Sequence, residues 1–144
     1  MSGEKKLDRL LKEMKPALNE GDYVFCTRKD MKAFDFDDII MAFKEEEGIT
    51  IILEQQAADR LQFEYSFVAK WITLTVHSSL EAVGLTAAFS KALTEENISC
   101  NVVAGYFHDH IFVDKNDFQK ALVVLNKFST GSGNTTSGEN HSYS

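Results

Sequence analysis

The chain has two cysteines, Cys26 and Cys100, and each lies inside an apolar run, YVFCT and ISCNVV. Neither run supplies the base or the electropositive niche that a nucleophilic thiol needs, so both read as buried thiols in a reduced, cytoplasmic setting. The opening MSGEKKLDRLLKEMK has no uninterrupted apolar stretch, which gives no secretory signal, and nowhere do eighteen apolar residues run together, which gives no membrane-spanning helix. Positive charge is scarce: 15 Lys and Arg stand against 22 Asp and Glu, a net charge of -7. Glu139 is the only charged residue after Phe128, so the acidity belongs to the folded part and disfavours nucleic acid or an anionic membrane as partner. A catalytic constellation is missing as well. No grouping of acid, base and nucleophile can be named from spacing, so an enzyme is not expected.

What is present is ordinary globular material, 44% hydrophobic and 26% charged over 144 residues, enough for one core or two small joined ones. Leu7, Leu10, Leu11, Met14 and Leu18 fall at helical spacing, with Pro16 ending or kinking the helix. Residues 19–22, NEGD, read as a turn and residues 23–27 as a short buried strand. Phe36, Ile39, Ile40 and Phe43 form a stripe that predicts a helix, with Asp35 or Asp37 as N-cap and Gly48 as C-cap residue. Residues 49–53, ITIIL, are the next strand, residues 55–62 a short helix, and residues 63–76 one long strand. The best-formed stretch, 71–113, reads as strand, Ser-rich turn, small-residue helix and a hairpin closed by Tyr106, Phe107, His108 and Asp109. Asn116 and Gln119 suit a capping pair for a last helix striped by Phe118, Ala121, Leu122, Leu125 and Phe128. From Ser129 the composition has no apolar periodicity, the signature of a disordered tail.

An internal repeat runs through the chain at a constant offset of 49. Tyr23 falls on Ile72, Phe25 on Leu74, Phe36 on Leu85, Ile40 on Phe89 and Ile49 on Ile98, and Glu46-Glu47-Gly48-Ile49-Thr50 lands on Glu95-Glu96-Asn97-Ile98-Ser99. Two copies follow, with expected boundaries at 1–20 for a helix and linker, 21–69 and 70–128 for the repeats, and 129–144 for the tail.

Among candidate sites, Ser78 with Glu81 fits a capping box, which is sufficient structural reason for both. The functional reading is that the same helix start, beside His77, receives the carboxylate of a small ligand, with Gly84 permitting close approach. His108-Asp109-His110 offers metal-ligand chemistry, but Asp109 points away from the two imidazoles on an extended chain, so no metal is expected and a hairpin tip is the simpler account. Gly105-Tyr106-Phe107 resembles an RNA-binding aromatic pair only in part, because Ala104 stands where a basic residue belongs. Trp71, Thr73 and Thr75 face opposite to Ile72, Leu74 and Val76, leaving one half-polar sheet face open to a partner.

In the stretch 71–113, in YVFCT, in KEEEGITIILE and in AADR, the sequence closely resembles the small stand-alone proteins built from two tandem ACT domains, over about residues 7 to 128. The resemblance implies an α+β, ferredoxin-like βαββαβ fold in two copies, with antiparallel or mixed sheets and helices on one face. It also implies a noncatalytic regulatory or sensing role without a cofactor, and a homodimer. ACT domains bind amino acids at the turn from first strand to first helix and at the adjoining second strand. On this chain those positions are His77, Ser78, Ser79, Leu80, Val83 and Gly84, with Asn101, Val102, Val103 and Ala104 opposite. The first copy departs from the pattern: its turn, residues 28–32, is charged, lacks the Ser pair and glycine, and has no recognisable hairpin after it. The site is therefore expected in the second copy. A module for protein interaction or oligomerisation without ligand is the alternative.

Overall fold

The computed structural model describes residues 3–75 and 83–130. The chain folds into two compact units: a continuous one, Asn19–Trp71, and a split one, Met1–Leu18 with Ile72–Ser144. Elements follow the order α1 (Gly3–Glu13), β1 (Lys15–Arg28), β2 (Ile39–Lys44), β3 (Ile49–Glu54), α2 (Gln55–Leu61), β4 (Val68–Thr75), α3 (Leu85–Glu95), β5 (Asn101–Ala104), β6 (Asp109–Asp114) and α4 (Phe118–Thr130). Short 3-10 turns at Phe36–Asp38 and Lys115–Asp117 lead into β2 and α4.

In the continuous unit β3 is central. It pairs antiparallel with β1, Tyr23 opposite Glu54 through Arg28 opposite Ile49, and antiparallel with β2 on its other side. Residues of alternate parity then share a face, and Val24, Cys26, Ile51 and Leu53 bury against Ala57 and Ala58 of α2 and against Phe63. Helix α2 ends at Gln62, which holds a left-handed φ of 62° while its amide donates back to Ala58 and Asp59.

The split unit has strand order β4-β6-β5, with residues 15–18 of β1 along the outer side of β4, where the Thr75 hydroxyl donates to the Lys15 carbonyl at 2.9 Å. An edge position is where a proline can sit within a sheet, since its missing N–H then faces away from the ladder, and Pro16 occupies it. Ile72, Leu74, Ile111 and Val113 turn one face of this sheet toward α1, α3 and α4, which bury Leu10, Met14, Leu85, Phe89, Leu93, Ala121 and Leu125. Helices lie on one face, as the ferredoxin-like pattern implies.

Several expectations change. Residues 36–43 are not a helix: beyond the 3-10 turn, whose Asp35 makes no side-chain cap, the chain is strand β2. A bulge between Ile39 and Met41 breaks the strand alternation, so an apolar run that should read with period two instead imitates a helical stripe. Residues 19–22 are not a turn but lie within β1, a strand of 14 residues in which Gly21 alone takes a positive φ, 102°. The long strand expected over 63–76 begins only at Val68, and α4 is preceded by a cap in which Asp114, not Asn116, accepts an amide, that of Asn116 at 2.8 Å. Helix α4 runs through Thr130, so the tail expected from Ser129 starts inside the helix, and residues 131–144 lie outside the described residues.

The repeat is real, but its register changes along the chain. The offset of 49 is out of phase on the first strand of each copy: it lays Val24 and Cys26, which pack against α2, on Thr73 and Thr75, whereas Ile72 and Leu74 face the helices. Beyond it, β3 and β6 are both six residues long with burial patterns iiBBBe and iiBBBi, buried at the same three positions, and they stand 60 residues apart. The preceding turns keep that same spacing: the Glu45 amide donates to the Gly48 carbonyl and the Gly105 amide to the His108 carbonyl, each at 2.9 Å. Between the first strand and the hairpin the second copy carries α3, a helix of eleven residues. The first copy therefore has the hairpin expected to be missing, and what it lacks is the first helix.

Candidate functional site

The expected ligand positions fall into three groups. His77, Ser78, Ser79 and Leu80, together with the Ser78–Glu81 capping box, lie outside the described residues. Val83 and Gly84 lead directly into α3. Asn101, Val102, Val103 and Ala104 form the whole of β5.

Helix α3 starts on Gly84, whose φ of 94° is a left-handed conformation that glycine adopts without strain. Its carbonyl accepts from the Ala88 amide at 3.0 Å, but a glycine cap has no side chain to accept from the amides of the first turn, and no acidic residue stands in that turn. The positive end of the helix is therefore left without a compensating carboxylate from the helix itself. The close approach that Gly84 permits is to the chain's own α1: a Cβ there would meet the Leu7 Cδ2 at 3.1 Å. Val83, immediately before it, is 89% exposed.

Strand β5 pairs on one side only within its unit, Asn101 opposite Phe112, Val102 opposite Ile111, Val103 opposite His110 and Ala104 opposite Asp109. Val102 packs on the helical core, whereas Asn101 and Ala104 are exposed, and the Asn101 amide donates to the Phe112 carbonyl at 3.2 Å. On the face away from the helices, the Thr73 hydroxyl lies 3.1 Å from His110 Nδ1, and the His108 and His110 rings meet edge to face with centroids 6.4 Å apart. Burial holds His110 below the usual imidazole range, reinforced by His108 and opposed by Asp109, whose own carboxyl burial pushes up. Among the described residues no cluster of three or more His, Cys, Asp or Glu is arranged to hold a metal. Tyr106 and Phe107 form an exposed aromatic pair at the tip, edge to face with centroids 5.0 Å apart.

The continuous unit carries a concavity that spacing did not reveal. Its β1 extends past the start of β4, as Lys70 donating to the Gly21 carbonyl shows, so residues 25–27 are flanked by the coil 62–67. A cleft of about 590 Å³ opens there between Phe25, Cys26 and Thr27 of β1, Thr50 of β3, and Glu64, Tyr65 and Ser66 of the coil. Tyr65 is held in place: its hydroxyl donates to Asp59 Oδ1 at 2.7 Å and accepts from the Gln55 amide at 2.9 Å. Residues contributed by three separate elements leave no sequence spacing to read. Only the pairing of Thr27 with Thr50 becomes visible once the register of β1 on β3 is known.

The strand orders β2-β3-β1 and β5-β6-β4, each with helix packed on one face, define a class of small α+β domains repeated in tandem. The family follows from the comparisons. ACT-domain family models match residues 2–70 and residues 66–127, and the chain belongs to the ACT-domain family. A Vibrio cholerae protein of unknown function, described as a possible transport protein, is 50% identical, with 89% of this chain and 99% of that one covered and a TM-score of 0.80. An Agrobacterium tumefaciens protein shares the fold at 15% identity and TM-score 0.63, covering 81% of this chain and 90% of that one. The regulatory subunit of aspartate kinase from Thermus thermophilus shares it at 8% identity and TM-score 0.55, covering 81% and 98%. No curated protein matches. Among the described residues no helix is long and apolar enough to cross a membrane.

Proposed function

We propose that this chain is a noncatalytic regulatory module that binds an amino acid in its split unit, around the turn from β4 into α3 and along β5. The residues are His77, Ser78, Ser79, Leu80, Val83 and Gly84, with Asn101, Val102, Val103 and Ala104. One observation carries the reading. Only the split unit has a helix after its first strand, and that helix begins on a glycine without a side-chain cap, whereas the corresponding connection in the continuous unit is a charged loop and a 3-10 turn. The helix end favours a carboxylate and the outer edge of β5 offers backbone groups for an ammonium and a carbonyl. The two thiols are unbonded, which suits a reducing cytoplasm, and the exposed Tyr106, Phe107, Phe36 and Phe43 suit association into a homodimer.

Calorimetry with each of the twenty amino acids tests this, paired with the variant Val83→Asp. Position 83 is exposed, so the fold tolerates the change, and the added carboxylate repels a ligand carboxylate at the helix start. A saturable heat with wild type that weakens at least about tenfold in the variant is the expected result. No heat at millimolar concentration of any amino acid defeats the proposal, and an unchanged affinity in the variant moves the site elsewhere. Light scattering at several concentrations reads the dimer independently.

A further inference from the structure

The cleft of the continuous unit is lined by acceptors and aromatic rings and by no base. Val24 and Cys26 bury against α2, so Phe25 and Thr27 point to the other side of the sheet, where Thr27 stands opposite Thr50. Arg28, next along β1, follows Val24 and Cys26 to the helical face, and its guanidinium stacks 4.0 Å from the ring of Phe63 in the core there. Among the described residues no Lys, Arg or His lines the cleft. Two of its hydroxyl protons are directed elsewhere. The Thr50 hydroxyl donates to the Glu45 carboxylate, which leaves its oxygen an acceptor toward the cleft, and the Tyr65 hydroxyl donates to Asp59. Glu64 adds an exposed carboxylate to the lining, and no ion pair among the described residues includes it. Phe25 and Tyr65 supply the rings, and an aromatic face attracts a cation. Over residues 19–71 acids outnumber bases by twelve to six, so the field of the unit is negative as well.

We propose that this cleft is a second ligand site, and that it takes a small organic ammonium ion that carries no carboxylate. The cationic head is held by Glu64 and the Thr50 oxygen, and the short alkyl body lies against Phe25 and Tyr65. A carboxylate on the same molecule would meet Glu64 and find no base to pair with, so the cleft selects against amino acids. Its volume, about 590 Å³, lies within the ordinary range for small-molecule sites. The site uses none of the residues of the split unit and does not depend on a ligand being bound there.

The test is calorimetry on the full chain with butylammonium and choline, against n-butanol as a neutral counterpart and γ-aminobutyrate as an amine of similar length that carries a carboxylate. At least one ammonium ion is expected to bind saturably, with both controls weaker by about tenfold or more. In Glu64→Gln its affinity is expected to fall by about three- to tenfold at low ionic strength, a loss that shrinks as added salt screens the pair. In Tyr65→Leu it is expected to fall by about two- to tenfold, the size of one cation–π contact. Val83→Asp, in the other unit, should leave it unmoved. Glu64 is exposed and its substitution leaves the fold intact, so that variant decides even where Tyr65→Leu destabilises the chain. No saturable heat from either ammonium ion, equal binding of n-butanol or γ-aminobutyrate, or an affinity unchanged by Glu64→Gln overturns the proposal. An affinity altered by Val83→Asp alone overturns it too, while leaving the site in the split unit standing.

Discussion

Gly84→Ala is the sharpest probe of how α3 is launched. Two effects of the added methyl can be separated. The backbone effect is that φ of 94° is a conformation an L-residue pays about 1–2 kcal/mol to hold, offset in part by about 0.4–1 kcal/mol from the lower entropy of the unfolded chain. The contact effect is the approach to Leu7 Cδ2 at 3.1 Å, a few tenths of an ångström too close against the flexible end of a side chain. Rotation of that end relieves the contact, so the backbone effect should dominate, leaving a net loss of roughly 0.5–1.5 kcal/mol and a Tm lower by roughly 2–5 °C for a chain of this size. A double-mutant cycle with Leu7→Ala distinguishes them, because truncating Leu7 removes the contact and leaves the dihedral strain. Urea unfolding of the four proteins should give a coupling energy below about 0.5 kcal/mol. A coupling near the full cost of Gly84→Ala would show that packing against α1, rather than backbone conformation, dictates glycine there, and an unchanged stability would refute both accounts.

Three further outcomes follow from the same geometry. Gln62→Gly relieves a non-glycine residue at φ 62° that closes α2 and, after the entropy that glycine adds to the unfolded chain, should stabilise the chain by roughly 0.5–1 kcal/mol in thermal unfolding, since its own amide bonds are kept. His110 has a folded-state pKa below its unfolded value of about 6.5, so the unfolded chain takes up the proton first. Stability is full above that pH and declines as pH falls through the window beneath it, and His110→Asn should flatten this slope below about pH 6.5. Asp109, shifted upward, acts with opposite sign in the carboxylate range below that window. Burial pushes the Cys100 thiol up to about 11, only partly countered by a hydrogen bond with Ser90, and raises Cys26 as well, so native alkylation at pH 8 should run roughly a hundredfold slower at Cys100 than in the urea-unfolded chain, as read by mass spectrometry.

The sequence disclosed the second copy far better than the first. Helix α3, the hairpin of β5 and β6 and the stripe of α4 follow from periodicity because each element buries one regular face. Strand β2 was hidden by its bulge, which adds Ile40 out of phase and leaves a spacing of three and four among apolar residues. Pro16 and Gly21 read as breakers because a propensity argument does not know that residues 15–18 lie at a sheet edge or that one glycine can carry a positive φ inside a long strand. The gapless repeat was seductive for a related reason: acids, a glycine or asparagine and an isoleucine close both segments, although one closes a helix and the other a hairpin. Asn97 does hold φ 62°, whereas Gly48 serves close packing against Thr27. Of the candidate site, β5 was legible, whereas the helix expected to start at Ser78 begins only after Gly84. The cleft beside Glu64 was not, because its walls come together only after three elements have folded.

The split unit has a consequence for the order of events on the ribosome. The continuous unit is complete in sequence once Trp71 has emerged, and can fold while the rest is still being made. Helix α1, with Leu10 and Met14 destined for the core formed with α3 and α4, is made before those helices and is covered only after them. At about 5–20 residues per second, the residues between α1 and the end of α4 take roughly 6–20 s to appear, during which its apolar stripe has no cover of its own. A nascent chain stalled once residue 71 has cleared the ribosomal tunnel should therefore show a folded, protease-resistant centre with a freely cleavable α1, and should be the species most dependent on chaperones.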